Sequence, residues 1–210
     1  MKPLILSKVG TFCFLLITFM LTLGINTRSI ASEGDLSFPF NSDSGKYWQY
    51  VSDRVMGGVS DGQVNLEQDG EIYYARLTGN VSTRNNGGFI QLRTSTSMSN
   101  KPLMFKSIHN SKKGGKKLQG VRLKVKGNGE KYHIFIQTTI FYRLPVDYHI
   151  ATFDTSPNWQ TVDLPFDQFK ELNSNKNSKF SPKNINTLGI VAYGRDFSSD
   201  LSVSSIEFYY

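Results

Sequence analysis

His109, His133 and His149 are the only histidines in this chain of 210 residues. With Asp147, Asp154, Asp163 and Asp167 they are the groups that could carry acid–base or metal chemistry. A metal centre needs His, Cys, Asp or Glu ligands converging at set spacings. No two histidines stand at such a spacing, and neither H-E-x-x-H nor H-x-H occurs. Glycoside hydrolysis needs two carboxylates facing each other across a cleft. The four aspartates fall near the ends of expected strands, but sequence alone does not bring two of them together. None of the serines is read as a hydrolase elbow nucleophile, and no segment matches an EF-hand loop. Asp43, Asp53 and Asp61 are the residues to check for a structural calcium. The histidines are expected to be structural or exposed, and no metal or cofactor is expected.

Two other segments say more. Asp53-Arg54-Val55-Met56-Gly57-Gly58-Val59-Ser60 and Asn85-Asn86-Gly87-Gly88-Phe89 each hold adjacent glycines. Paired glycines let the backbone take positive φ or approach another chain closely. Each segment therefore reads as a tight bend into a strand, with Val59 and Phe89 packing behind it. Asp53 stands where an aspartate caps backbone N–H groups. Asn85 and Asn86 tolerate left-handed φ, and their amides can bind polar groups of a partner. Two readings stay open. The first is a structural corner in which Met56 and Val59 pack and Asp53 caps. The second is a recognition edge that exposes backbone donors beside Arg54 and Met56.

The elements that position these bends read as β-strands. In Gln119–Lys126, Val121, Leu123 and Val125 alternate with Arg122, Lys124 and Lys126, which marks a strand with one buried and one wet face. Gly127-Asn128-Gly129 turns the chain into Tyr132–Thr139, with Ile134 and Ile136 on one face and Phe135 on the other. The pair carries a hairpin signal. Further strands are expected at Tyr47–Ser52, Gln63–Glu67, Ile72–Leu77, Phe89–Arg93, Tyr148–Phe153, Gln160–Leu164, Leu188–Tyr193 and Val203–Tyr209. One or two helical turns are expected between Phe166 and Leu172. Many short strands with turn residues between them predict an all-β sandwich or jelly roll.

Residues 1–31 are read apart from this fold. Lys2 and Lys8 precede an apolar run from Phe12 to Leu23, and Ser29-Ile30-Ala31 offers small residues for a signal peptidase. The segment is expected to be an export signal cleaved after Ala31, with an uncleaved anchor helix as the alternative. The apolar run is shorter than the roughly 20 residues of a spanning helix. Residues 32–210 are then a single exported domain, periplasmic or secreted, and not membrane-spanning. Its only cysteine, Cys13, leaves with the signal, so the domain must rely on its core. Lys2, Lys8 and Arg28 leave too, so the formal net charge falls from +7 to +4. Lys112, Lys113, Lys116 and Lys117 cluster in a long polar stretch, Ser95–Leu118, whose apolar island is Leu103-Met104-Phe105. A second polar stretch is Asn173–Asn186. Nucleic acid is not expected as a partner, since no recognition helix or aromatic RNA-binding strand appears.

The two glycine bends together resemble the complex I intermediate-associated protein 30 family, which carries a V-M-G-G-V-S turn and, some thirty residues on, an N-N-G-G-F turn. Gly127-Asn128-Gly129 with Tyr132 is similar to the family's G-D-G-x-x-Y turn, with Asn128 in place of aspartate. Trp159, Val162, Leu164-Pro165-Phe166 and Phe169 resemble its W-x-x-v-x-l-P-F-x-x-F stretch. Leu188-Gly189-Ile190 and Val203–Phe208 resemble its closing strands. The resemblance spans Tyr47 to Tyr210 and implies a galactose-binding-like jelly-roll β-sandwich. It implies Trp159 and Phe166 in the core. It also implies a non-enzymatic assembly chaperone, since the best-known members hold intermediates of mitochondrial complex I. The expected partner is a protein, met at a rim formed by Asp53, Arg54, Met56, Gly57, Gly58, Ser60, Asn85, Asn86, Gly87, Gly88 and Phe89. The domain is expected to be monomeric or weakly associating. The alternative is a carbohydrate-binding module that offers a glycan an exposed aromatic such as Trp48, Tyr142, Tyr209 or Tyr210.

Overall fold

Alternating apolar residues along the strands bury one face of each of two sheets. The computed structural model describes residues 36–94, 108, 117–138, 148–172 and 181–210, with Lys183 described in its backbone alone. The expected leader, Leu103–Phe105, His109, three of the four clustered lysines (Lys112, Lys113 and Lys116), Tyr142 and Asp147 lie outside the described residues.

Twelve strands follow in chain order: β1 (Leu36–Pro39), β2 (Trp48–Ser52), β3 (Asp61–Asp69), β4 (Ile72–Val81), β5 (Phe89–Thr94), β6 (Gly120–Gly127), β7 (Lys131–Thr138), β8 (Tyr148–Asp154), β9 (Gln160–Pro165), β10 (Lys170–Glu171), β11 (Ile185–Tyr193) and β12 (Phe197–Tyr209). One sheet runs β3-β4-β12-β6-β9, with β1 also paired to β12. The other runs β10-β8-β7-β11-β5-β2. Every pairing is antiparallel. The architecture is an all-β, galactose-binding-like jelly-roll sandwich.

The core lies between the sheets. Val121, Leu123 and Val125 of β6 and Leu201 and Val203 of β12 face Tyr132, Ile134 and Ile136 of β7 and Leu188 and Ile190 of β11, all fully or almost fully buried. All ten strands expected from the sequence are present, and the alternation in β6 holds: Arg122, Lys124 and Lys126 point away from the core. Two further strands, β1 and β10, are too short to show an alternating pattern. Phe166–Gln168 forms a single 3-10 turn that leads into β10.

One local expectation is overturned. β6 and β7 do not form a hairpin: β6 pairs with β12 and β9, β7 with β11 and β8. The turn at Gly127-Asn128-Gly129 is a corner that carries the chain from one sheet to the other. Both strands have a fully buried face, so each sits centrally in its own sheet and the two buried faces oppose each other across the core. The corner is tied down by Tyr132. Its hydroxyl donates to Asn128 Oδ1 (2.8 Å) and accepts from the Asp200 N–H (2.9 Å), while Asn128 Nδ2 donates to the Ser198 carbonyl (2.7 Å). An aspartate at 128 could not make the last of these bonds, so the departure from the family's turn has a use here.

Candidate functional site

Asp53 ends the path of β2 and opens a 3-10 turn, Asp53–Met56. Its side chain is fully buried. A buried carboxylate is costly unless its oxygens are matched by donors. Here four donors reach it. Ser60 N–H binds Oδ1 at 2.9 Å, and Oδ2 receives the Ser60 hydroxyl (2.5 Å) and the N–H groups of Gly88 (2.6 Å) and Phe89 (3.2 Å). Burial pushes the Asp53 carboxyl up, but the hydrogen bonds from Gly88, Ser60 and Phe89 outweigh it and hold the group below the usual carboxylate range.

The two glycine bends are therefore one structure, closed around one carboxylate. Within each pair the glycines have different jobs. Gly57 (φ +90°) and Gly88 (φ +127°) adopt the left-handed conformations. Gly58 and Gly87 leave room for Asp53: a Cβ would lie 2.3 Å from Asp53 Cγ at Gly58, and 2.4 Å from Oδ2 at Gly87. Asn85 and Asn86 take φ of +57° and +56°, as their side chains allow. Asn85 Nδ2 also reaches the Gly57 carbonyl at 3.4 Å, joining the bends at the surface. Gly194 N–H donates to the Gly88 carbonyl (2.9 Å), and Asp196 accepts from the N–H and hydroxyl of Thr83, so the end of β11 joins the same rim.

The eleven residues expected at a partner surface divide by burial. Asp53, Ser60 and Gly88 are buried and spent within the fold. Gly58, Gly87 and Phe89 are half-buried. Arg54, Met56, Gly57, Asn85 and Asn86 are exposed. The structural-corner reading holds for Asp53 but not for Met56, which is 66% exposed beside Val55 at 74%. Sequence reasoning passed over Val55, whose β-branched side chain between Arg54 and Met56 looks like a core residue. Arg54 lies along the turn, donating from Nε to the Ser60 carbonyl (3.1 Å), with its guanidinium 3.4 Å from Asp61. The result is a rigid knob with two apolar side chains at its tip.

Ser60 also sits in the string Gly58-Val59-Ser60-Asp61-Gly62, which matches G-x-S-x-G. It is not a nucleophile elbow. A strand follows it, its hydroxyl is buried, and that hydroxyl donates to Asp53 and accepts from the Ser82 N–H (2.9 Å). Of the other catalytic candidates, four are likewise engaged, while Asp167 is exposed in the Phe166–Gln168 turn. Asp154 pairs with Lys131 and Asp163 with Arg122. His133 packs against Phe135 and Tyr193, with Nδ1 2.9 Å from the Thr152 hydroxyl, and burial pushes its pKa down. His149 is buried beside Thr138. Among the described residues, no group of three His, Cys, Asp or Glu could hold a metal ion.

A second region emerges on the outer face of the β3-containing sheet, where β4, β12 and β6 lie side by side. A cleft of about 360 Å³ is lined by Tyr74, Arg76, Lys126, Pro157, Asp200 and Ser202, among others. Trp159 stands behind it, edge-on to Tyr74 with ring centroids 5.6 Å apart, and is half-buried outside the core where the family resemblance had placed it. On this outer face Lys126, from the wet face of β6, sits 5.0 Å from both rings. Phe166 does pack against the core. Of the aromatics expected as a glycan platform, Trp48 packs on Phe40, Tyr209 lies under Arg122, and Tyr210 packs against the core.

An antiparallel two-sheet sandwich with this corner and these bends belongs to the galactose-binding-like class. The sequence profile of the family described as complex I intermediate-associated protein 30 matches residues 38–203, and the chain belongs to that family. No curated protein resembles the sequence closely enough to count as a match. Among solved structures, the chain is similar to a family 11 carbohydrate-binding module from Clostridium thermocellum, in complex with a β-1,3-1,4-mixed-linked tetrasaccharide. The TM-score is 0.58 at 12% identity, over 82% of this chain and 95% of that one. It is also similar to the family 30 carbohydrate-binding module of a cellulosomal cellulase of the same organism (TM-score 0.54, 12% identity, 82% and 96%). At such identities the likeness is one of fold. Among the described residues no helix is long and apolar enough to cross a membrane.

Proposed function

We propose that this domain is a non-catalytic, protein-binding assembly factor or chaperone, and that it meets its client through the knob carrying Arg54, Val55 and Met56, flanked by Asn85 and Asn86. One observation carries this reading. Two apolar side chains stand in solvent on a bend that is locked from beneath by a fully hydrogen-bonded buried carboxylate. Rigid, exposed apolar groups lose little entropy on binding, and burying a Val or Met side chain contributes about 1.5–3 kcal/mol. Met is also adaptable enough to fit varied partners. Membership of a family described by its association with assembly intermediates supports a protein client. The expected leader directs the chain to an exported compartment, so the proposed client is a protein met there. Asp154, Asp163, His133 and His149 are taken up in ion pairs and packing, which supports a role without turnover.

The test is affinity capture of the mature protein under native expression, followed by mass spectrometry, with wild type beside Met56→Ala and Arg54→Ala. The expected result is a protein recovered by wild type and depleted by both variants, which keep the wild-type melting temperature. Equal recovery by all three, or no protein partner at all, would count against the knob.

A further inference from the structure

We propose that the open edge of β3 receives an extended segment of a protein client as an added strand, with side chains that alternate between apolar and basic. The proposal rests on the protein-client reading and extends it to a second surface, which starts at Asp61, just beyond the knob. β3 ends its sheet and pairs on one side only, with β4. An edge strand offers a row of unpaired N–H and C=O groups, and folded proteins blunt such edges with proline, lysine, a bulge or short length. β3 has none of these devices. Its nine residues, Asp61-Gly62-Gln63-Val64-Asn65-Leu66-Glu67-Gln68-Asp69, keep an unbroken register with β4. Among the other edge strands, β2 has five residues, β10 has two, and β1 and β9 end in proline. Leu66 shares a face with the buried Ala75 opposite it, yet is 40% exposed. Tyr73, on the same face, is 38% exposed. The apolar side of this edge is therefore partly open to solvent.

Charge selects the occupant. The other side of β3 carries Asp61, Glu67 and Asp69 and no cation. Asp61 and Glu67 form long surface pairs with Arg54 (3.4 Å) and Arg76 (3.7 Å). Such pairs hold little in place. Asp69 has no cation partner among the described residues. A second copy of this chain fits poorly. In the antiparallel self-pairing that aligns all nine residues, Asp61 faces Asp69 at both ends, and like charges directly opposite each other destabilise a sheet. A strand with basic residues on the acidic side and apolar residues beside Leu66 matches both faces. Main-chain bonds then supply affinity, and the alternate side chains supply selectivity.

The test is an NMR titration of the protein, with amide hydrogen exchange, using a capped seven-residue peptide that alternates lysine and valine. Two controls are its glutamate–valine counterpart and a lysine–valine peptide whose central valine is proline. The expected result is saturable binding of the first peptide, shifts confined to β3 and β4, and slowed exchange of β3 amides. Both controls should bind about tenfold more weakly, one for its charge and one for its broken ladder. Gln63→Lys combined with Asp69→Lys should weaken the lysine peptide about tenfold and favour the glutamate one. Leu66→Lys should weaken both. Met56→Ala should leave peptide binding unchanged, so a failure of the knob in affinity capture is told apart from a failure here. No saturable binding of the lysine–valine peptide, or equal binding of either control, would overturn the proposal. So would wild-type affinity in the folded lysine variants, or protection of β3 amides by self-association without peptide.

Discussion

The Asp53 rim and the Lys126 cleft use charge in opposite ways. At the rim a carboxylate is taken out of water, all its acceptor capacity is matched, and what faces solvent is apolar. At the cleft the charges stay at the surface and one cation keeps its donors. A matched buried charge holds a shape, because breaking any one bond leaves a buried group unsatisfied. A half-exposed charge with free donors holds little in place, but remains available to something that arrives. The first region leaves apolar side chains in solvent over a locked frame, and the second leaves a cation at the surface of a cleft.

The largest break in that contrast should come from Asp53→Ala. It strands four donors that converge on a dry site, and is expected to destabilise the domain by about 3–5 kcal/mol in urea titrations. Truncating Lys126 in the cleft should cost less than about 0.5 kcal/mol by the same measure.

Next come the glycines, which separate two physical causes. Gly87 has an ordinary φ of −83°, so Gly87→Ala is penalised by steric overlap, chiefly with the Asp53 carboxylate and to a lesser degree with the Arg84 carbonyl, by about 3 kcal/mol. Gly57 has φ +90° and open space where a methyl group would stand, so Gly57→Ala is penalised by backbone conformation alone, about 1–2 kcal/mol. Equal costs at the two positions would mean that Gly87 is not there to clear the carboxylate.

A smaller effect follows from acid. The folded-state pKa of Asp53 lies below its unfolded value of about 3.9. Its contribution to stability is therefore fully present above that value and is lost as pH falls through the folded pKa. Stability measured from pH 6 downward should fall more steeply in wild type than in Asp53→Asn, whose side chain does not titrate. Smallest of all, Met56→Ala should change stability by less than about 0.5 kcal/mol, since the side chain has little packing to lose, while weakening client binding about tenfold.

The strands were legible because their signal is local. Period-two alternation in Val121-Arg122-Leu123-Lys124-Val125 reports a half-buried strand wherever its neighbours lie. The glycine bends were legible for a similar reason, since positive φ at Gly57 and Gly88 is a demand the backbone makes on one residue. The second glycine of each pair was not explained by its own conformation. Gly58 and Gly87 are needed because a side chain up to 34 residues away in sequence passes beside them. Trp159 was misplaced because an aromatic in a strand-rich chain fits a core or an outer-face stack equally well. The pairing of β9 with β6, which puts the indole beside Tyr74 and Lys126 on the outer face, is not visible in the local sequence.

What this sequence determined unaided is the list of strands, the faces they bury and the places where the chain must bend. Those follow from side-chain periodicity and from steric limits on φ, which act within a few residues. The tertiary structure decided which strands pair, that Gly127-Asn128-Gly129 crosses between sheets, and that both bends close on Asp53. It also gathered the cleft from β4, β6 and β12, over more than a hundred residues of chain. These choices depend on how much surface distant segments bury together, and on whether a buried charge finds all its donors, and neither quantity exists until the sheets have met.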